Sequence, residues 1–272
     1  MNLTTTIIIP VYNAMRYLEL VLAGFSRQSY HLFEVIVADD GSGPEVKDLL
    51  SRFIPGSPFP LEHVYQPDEG FRKTRILNSA IRAASTEYLI LSDGDCVPHH
   101  DFVRAHFEHR APRTVLCGRR VMLGPEMSAR LTASDVLNGR YERLTLDKMI
   151  DGLLGRSTHW DEAIPLKSDR IHSLIYRKKP TLVGCNFSLD KSLIEAVNGF
   201  NEDFAGYGGE DIELEYRLRL EGARFKWVTH RAIQYHLYHE SRQANPQNTS
   251  LLEQTIAEGK AACRRGLIKA EP

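Results

Sequence analysis

The chain has 272 residues, 42% hydrophobic and 25% charged, enough to bury a large core in one α/β domain with an appended region. Its 34 basic and 35 acidic residues leave a formal net charge of −1, so no basic field draws it onto nucleic acid. Four cysteines, Cys96, Cys117, Cys185 and Cys263, lack any Cys-x-x-Cys pairing, which argues against a zinc knuckle or disulfide framework and for reduced thiols.

The start of the chain carries no basic leader, and Pro10 stops the apolar run Ile7-Ile8-Ile9. No segment reaches the roughly 18 apolar residues of a membrane span. A cytoplasmic protein is expected, with any membrane contact peripheral at the inner face. Thr5 to Ile9 predicts a buried strand, and Pro10 to Asn13 a turn into a helix carrying Tyr17, Leu18, Val21, Leu22 and Phe25 at the 3.6-residue period. Val35 to Ala38 predicts a second strand, broken by Asp39-Asp40-Gly41-Ser42, and Val46 to Phe53 a short helix. His63 to Tyr65 reads as a third strand. A helix from Arg75 to Ala84 then feeds a strand at Tyr88 to Leu91. These alternating elements are the pattern of βαβ units around a parallel sheet, whose ligands sit at the carboxyl ends of the strands.

From Arg119 to Pro180 the pattern loosens into charged helical segments, read as an insertion over the sheet. Order returns at Val183 to Leu189, followed by helices at Lys191 to Val197 and Glu210 to Glu221, and a last amphipathic stretch at Leu251 to Cys263. The expected parts are residues 1–118, an α/β half; 119–180, a helical insertion; 181–244, the second half of the same domain; and 245–272, a helical tail.

Asp93-Gly94-Asp95 is the most informative triplet. If the preceding strand continues, its period of two turns both carboxylates to one side, a geometry suited to a divalent cation. Asp-Gly is equally a common turn dipeptide. Pro10 to Asn13, Asp39-Asp40 and Asp93 to Asp95 all fall where strands run out, so the topology brings them toward one crevice.

In this order, Ile8-Ile9-Pro10-Val11-Tyr12-Asn13, Val37-Ala38-Asp39-Asp40-Gly41-Ser42 and Asp93-Gly94-Asp95 resemble the motifs of the family 2 glycosyltransferases, over residues 5 to 97. A second block, Gly184-Cys185-Asn186-Phe187-Ser188-Leu189 and Asn198-Gly199-Phe200 through Gly208-Gly209-Glu210-Asp211-Ile212-Glu213, resembles the C-terminal half of galactosyltransferase-like enzymes and bacterial chondroitin polymerase domains. The resemblance implies a GT-A fold, a Rossmann-like, mostly parallel central sheet flanked by helices. It also implies an inverting transferase that uses Mn²⁺ or Mg²⁺ to move a sugar from a nucleotide-sugar, most commonly a UDP-sugar, to a saccharide or glycolipid acceptor in surface glycan synthesis.

Carried over residue by residue, Pro10, Tyr12, Asp39 and Asp40 would hold base and ribose, and Arg75 would lie near the diphosphate. Gly70 and Asn186 would line the donor-sugar pocket. Asp95 would bind the metal, with Asp93 nearer the ribose or a bound water, and His236 would complete the set with His239 in reserve. Asp211 would be the general base and Glu210 would bind sugar hydroxyls. Arg72 and Lys73 read as a solvated helix start, and Trp160 and Trp227 as core residues. The chain departs from the larger polymerases in carrying one transferase block, which favours single addition. Two other classes compete: a nucleotidyltransferase, which would want a Gly-rich basic loop that Pro10-Val11-Tyr12-Asn13 does not supply, and a non-catalytic sugar-binding module, which would not require Asp211.

Overall fold

The computed structural model describes residues 3–166, 168–176 and 178–269, so two positions of the expected insertion and the end of the expected tail lie outside it. Its strands are β1 (Thr5–Val11), β2 (Phe33–Asp39), β3 (Leu61–Tyr65), β4 (Tyr88–Leu91), β5 (Cys96–Pro98), β6 (Thr114–Cys117), β7 (Val121–Met122), β8 (Phe187–Asp190), β9 (Arg224–Trp227) and β10 (Gln234–His236). The helices are α1 (Met15–Ser26), α2 (Pro44–Phe53), α3 (Lys73–Ala83), α4 (Phe102–His109), α5 (Pro125–Arg130), α6 (Ala133–Leu137), α7 (Leu146–Leu153), α8 (Asp169–Ile175), α9 (Lys191–Ala196), α10 (Glu210–Leu220) and α11 (Pro246–Glu258).

Seven strands form one sheet in the order β3-β2-β1-β4-β8-β6-β9. Only β8 among them runs against the rest, pairing antiparallel with both β4 and β6. Alternate residues feed a core on each face of the sheet. Ile7, Ile9, Val35, Val37 and Ile90 join the cluster containing Leu18, Val21, Leu22 and Phe25 of α1. Ile8, Ile36, Ala38, Leu89 and Leu91 join Ile76, Leu77 and Ile81 of α3 and Leu214 and Leu218 of α10. Apolar residues on both sides of β1, β2 and β4 are what a sheet covered on both faces requires.

Pro10 belongs to β1, not to the expected turn. Its carbonyl accepts from Gly94 N at 3.2 Å, past the last β4 residue paired to β1, so its missing N–H falls where the β1–β4 ladder has already ended. The last helix runs earlier than the apolar pattern suggests. Asn245 caps it by accepting from Gln247 N at 3.1 Å, Pro246 occupies its first turn, and Gly259 ends it with φ 60°.

A second, three-stranded sheet, β5-β10-β7, sits beyond the end of β4. Its register sets His236 opposite Cys96, and Leu237 N donates to Asp95 O at 2.8 Å. That pairing returns the C-terminal part of the chain to the Asp93–Asp95 turn. The segment between β6 and β8 holds β7 and α5 to α8, so it contributes a strand to this sheet as well as the expected helices.

Candidate active site

The carboxyl ends of β1, β2 and β4 meet as the topology requires, with Tyr12 and Asn13 after β1, Asp40 to Ser42 after β2, and Asp93 to Asp95 after β4. Asp93 and Asp95 lie in a turn between β4 and β5, not in a strand, so the two-residue period does not align them. Each takes its own partners. Asp93 Oδ1 pairs with Lys73 Nζ at 3.0 Å. Asp95 is bracketed by imidazoles, Oδ1 lying 3.6 Å from His236 Nε2 and Oδ2 3.2 Å from His239 Nε2.

Asp95, Cys96 and His236 form the one cluster of metal-capable side chains among the described residues, their ligand atoms within 4.8 Å of one another. Burial opposes the Asp95 carboxylate, yet hydrogen bonding to His239 and the charge of His236 bring it down to about 2. Burial lowers His236, while the bond to Asp95 raises His239. The Nδ1 of His236 is buried without a partner. An ionised carboxylate facing two imidazole Nε2 atoms is a donor set that fits Mn²⁺ or a similar cation. Burial and the nearby Cys185 push the Cys96 thiol well up, which keeps it a neutral neighbour of that set.

On the other side of Asp93, α10 begins with Glu210 and Asp211 after Gly209 in the left-handed conformation. Asp211 Oδ2 accepts from Gly184 N at 2.9 Å. A Cβ at Gly184 would stand 2.5 Å from that oxygen, so only glycine admits the carboxylate here. Burial and then Glu210 push Asp211 up to about 7, against the pull of Lys73. Burial also opposes the Lys73 ammonium, but Asp93, Asp211 and Glu210 outweigh it and raise its pKa.

Lys73, and not Arg75, faces these acids, while Arg75 lies exposed on α3. Two residues apart is about 200° around a helix, so the two cations cannot face the same acids. The basic run Arg72-Lys73-Thr74-Arg75 was the signal, and only the helix phase separates its members. Arg120 is a second residue that pattern reading missed. It stands among Cys185, Cys96, Asp93 and Asp95, raised chiefly by the nearby Cys185, and its Nε is buried without a partner. It lies in the segment read as featureless insertion.

Asp39 and Asp40 are buried beneath the cleft. Asp39 Oδ2 binds His63 Nε2 at 2.9 Å and Oδ1 accepts from Ser42 N at 2.8 Å. Asp40 accepts from Gln66 Nε2 at 2.5 Å and from Arg72 N at 2.8 Å. The exposed groups at this edge are Tyr12, whose hydroxyl donates to Asp68 at 3.0 Å, and Gly70, whose N–H donates to Asp68 Oδ1 at 3.0 Å. Gly41, with φ 89°, lets Asp68 approach, since a Cβ there would meet the Asp68 backbone at 2.5 Å. Asn186 is the most buried of the expected site residues. It is fully buried, donating to Arg119 O and Ala232 O and accepting from His106 Nε2, so it braces the sheet from beneath. Trp227 and Trp160 pack as core residues, Trp227 donating to Lys178 O and Trp160 lying beside Tyr235.

The sequence model of glycosyl transferase family 2 matches residues 6–197. The chain belongs to that family. A model described as the N-terminal domain of galactosyltransferase matches residues 171–240, so the two together take in both sides of the cleft. The transferase is 28% identical over 238 residues to a chondroitin synthase of Escherichia coli, covering 85% of this chain and 34% of that one. It is 26% identical to the chondroitin synthase of Pasteurella multocida strain Pm70, covering 84% of this chain. The transferase spans only 24% of the length of that second relative.

Among solved structures, S. aureus TarS 1–349 in complex with UDP-GlcNAc superposes with a TM-score of 0.62 at 18% identity, covering 94% of this chain and 66% of that one. The mannosyltransferase PcManGT from Pyrobaculum calidifontis, in complex with GDP-Man and Mn²⁺, gives 0.58 at 17%, covering 95% and 70%. The fold is GT-A, a mostly parallel sheet flanked by helices. By family the chain is a glycosyltransferase, which sets aside the nucleotidyltransferase alternative. No helix among the described residues is long and apolar enough to cross a membrane.

Proposed function

We propose that this transferase is metal-dependent and inverting, moving a sugar from a UDP-sugar to a hydroxyl of a saccharide or glycolipid in surface glycan assembly. The observation that carries the reading is the sequence of charges along one cleft: Asp95 with its two imidazoles, then Asp93 with Lys73, then Asp211. A carboxyl group near 7 is suited to accept a proton at neutral pH.

In this reading Asp211 takes the proton of the acceptor hydroxyl, whose oxygen bonds to the anomeric carbon as the bond to the diphosphate breaks. The electron pair of that bond leaves with the nucleoside diphosphate. One base and no covalent intermediate make a single displacement, so the anomeric configuration inverts. Asp95, His236 and His239 would hold Mn²⁺ or Mg²⁺, which supplies charge stabilisation for the leaving diphosphate. Lys73 and Arg120 add positive charge on the same side. Tyr12, Pro10 and the loop shaped by Asp39 and Asp40 would receive base and ribose, Gly70 the donor sugar, and Glu210 sugar hydroxyls. Residues 1–118 and 181–244 would then act as donor and acceptor halves, with 119–180 and 245–272 shaping the acceptor side.

Support for the donor class comes from relatives of the same fold captured with UDP-GlcNAc and with GDP-Man and Mn²⁺. The test is release of nucleoside diphosphate from UDP-, GDP- and dTDP-sugars with and without Mn²⁺, followed by NMR of the product anomer. Turnover of a UDP-sugar only with the metal, and an inverted anomer, is expected. No turnover or binding of any nucleotide-sugar would refute it.

A further inference from the structure

Helix α7 is amphipathic but faces the wrong way for a helix packed on a core. Leu146, Met149, Ile150, Leu153 and Leu154 fall within one 140° arc at about 100° per residue and are 47–86% exposed. The opposite side of the helix is the one that packs. There Asp151 is buried, Lys148 Nζ donates to the carbonyls of Tyr141 and Arg143 at 2.8 and 2.7 Å, and Gly152 rests against Trp160.

The next helix repeats the inversion. In α8, Ile171, Leu174 and Ile175 are exposed, while His172 is buried and bonds Thr229. Helices that bury polar groups and present leucine and isoleucine outward mark an interaction surface. The charge around them says which kind. Residues 140–179 contain nine basic and six acidic side chains in a chain of formal net charge −1, so the rest of the protein is acidic and this segment is not. Arg143, Arg170, Lys178 and Lys179, in the sequence flanking or within these helices, are exposed.

We propose that the outward apolar residues of α7 and α8 dock on an anionic lipid bilayer, with α7 lying in the headgroup plane. A basic surplus beside an apolar helix face is what such a surface recognises. A symmetric dimer through the same face would set that surplus against itself. The docking face is also tied to the candidate metal strand: Gly152 rests on Trp160, whose ring packs near Tyr235, the neighbour of His236. Docking here would bring the cleft to acceptors held at a membrane. The inference goes beyond the transferase reading and does not depend on its donor or metal.

The test is co-sedimentation of the full chain with vesicles of phosphatidylcholine alone, or mixed with phosphatidylglycerol, with no nucleotide-sugar present. The expected result is about tenfold stronger binding to the anionic vesicles, weakening as salt is raised. Met149→Asp with Leu153→Asp, both pointing to solvent, should remove that binding and leave the circular dichroism and nucleotide-sugar hydrolysis unchanged. If that pair disturbs folding, Lys178→Ser with Lys179→Ser tests the charged half and should weaken anionic binding alone. Equal recovery on both vesicles, or none on either, overturns the proposal. So does a concentration-dependent dimer, read by light scattering, that Met149→Asp with Leu153→Asp dissolves.

Discussion

Lys73 Nζ sits 3.0 Å from Asp93 Oδ1 and at the same time bears on Asp211 and Glu210, so one ammonium ties the turn after β4 to the start of α10. Removing it should disturb both sides. Lys73→Met takes away the charge that holds Asp211 down, so the carboxyl should rise above its present value of about 7. The expected outcome is a fall in kcat of about 10- to 100-fold, as for loss of a partner that orients and tunes a site. The acid limb of the pH–rate profile should also move to higher pH. A fall in kcat with an unmoved limb would make Lys73 a contact for substrate and not a tuner of Asp211.

Asp211 itself gives opposite signs for activity and stability. As the base it must be ionised, so kcat/KM should climb as pH rises through about 7. Its folded-state pKa lies above its ordinary value, so the folded protein holds this proton more tightly than the unfolded chain does. That contribution to stability is fully present below the unfolded value of 3.8 and is lost as pH rises through about 7. Asp211→Asn should cut turnover by about 10²- to 10⁴-fold. The same substitution should flatten the decline in urea midpoint that the parent shows from roughly pH 4 to 7. A parent midpoint independent of pH over that range would contradict the burial of an acid near 7.

Much of this arrangement is legible from residue order. The apolar runs at Ile7-Ile8-Ile9, Val35-Ile36-Val37 and Leu89-Ile90-Leu91 declare strands buried on both faces, and the breaks after them fall at the cleft. What residue order does not carry is phase and long-range register. Lys73 and Arg75 look alike in sequence and differ by half a turn of helix. Cys96 pairing opposite His236 joins residues 140 positions apart, and Arg120 reaches the same corner from a segment with no motif. Asn186 matches a family motif by name, yet its neighbours in the fold use its whole amide.

Asp95 and its two imidazoles separate by mutation. Asp95→Ala should leave the fold intact and reduce Mn²⁺-dependent turnover by more than about 100-fold, because it removes the only anionic member of the cluster. His236 is on a strand and 12% exposed, whereas His239 lies in the loop beyond it and is 37% exposed, so His236→Ala should weaken Mn²⁺ more than His239→Ala does. Calorimetric titration of Mn²⁺ in the presence of UDP measures both. Reversed losses would make His239 the principal imidazole ligand.

The second half of the cleft depends on a buried salt bridge within the helix that carries Asp211. Arg217 and Glu213 are each about 1% exposed, with Arg217 Nη2 and Glu213 Oε2 2.7 Å apart on α10. Arg217 also donates to Val197 O at 2.6 Å and Gly199 O at 2.9 Å, so it fastens α10 to the loop after α9. Glu213→Ala leaves a buried guanidinium without its counter-charge, which should cost about 3–5 kcal/mol. Replacing both, Glu213→Leu with Arg217→Met, removes the unpaired charge and should recover most of that loss, though not the two carbonyl bonds. Urea denaturation of the single and double variants measures the difference. The single variant should also lose turnover before it loses helix content, because α10 carries Asp211 on its first turn and the loosened end is the one that positions it. A single variant as stable as the parent would mean that the carbonyl partners alone hold Arg217 in place.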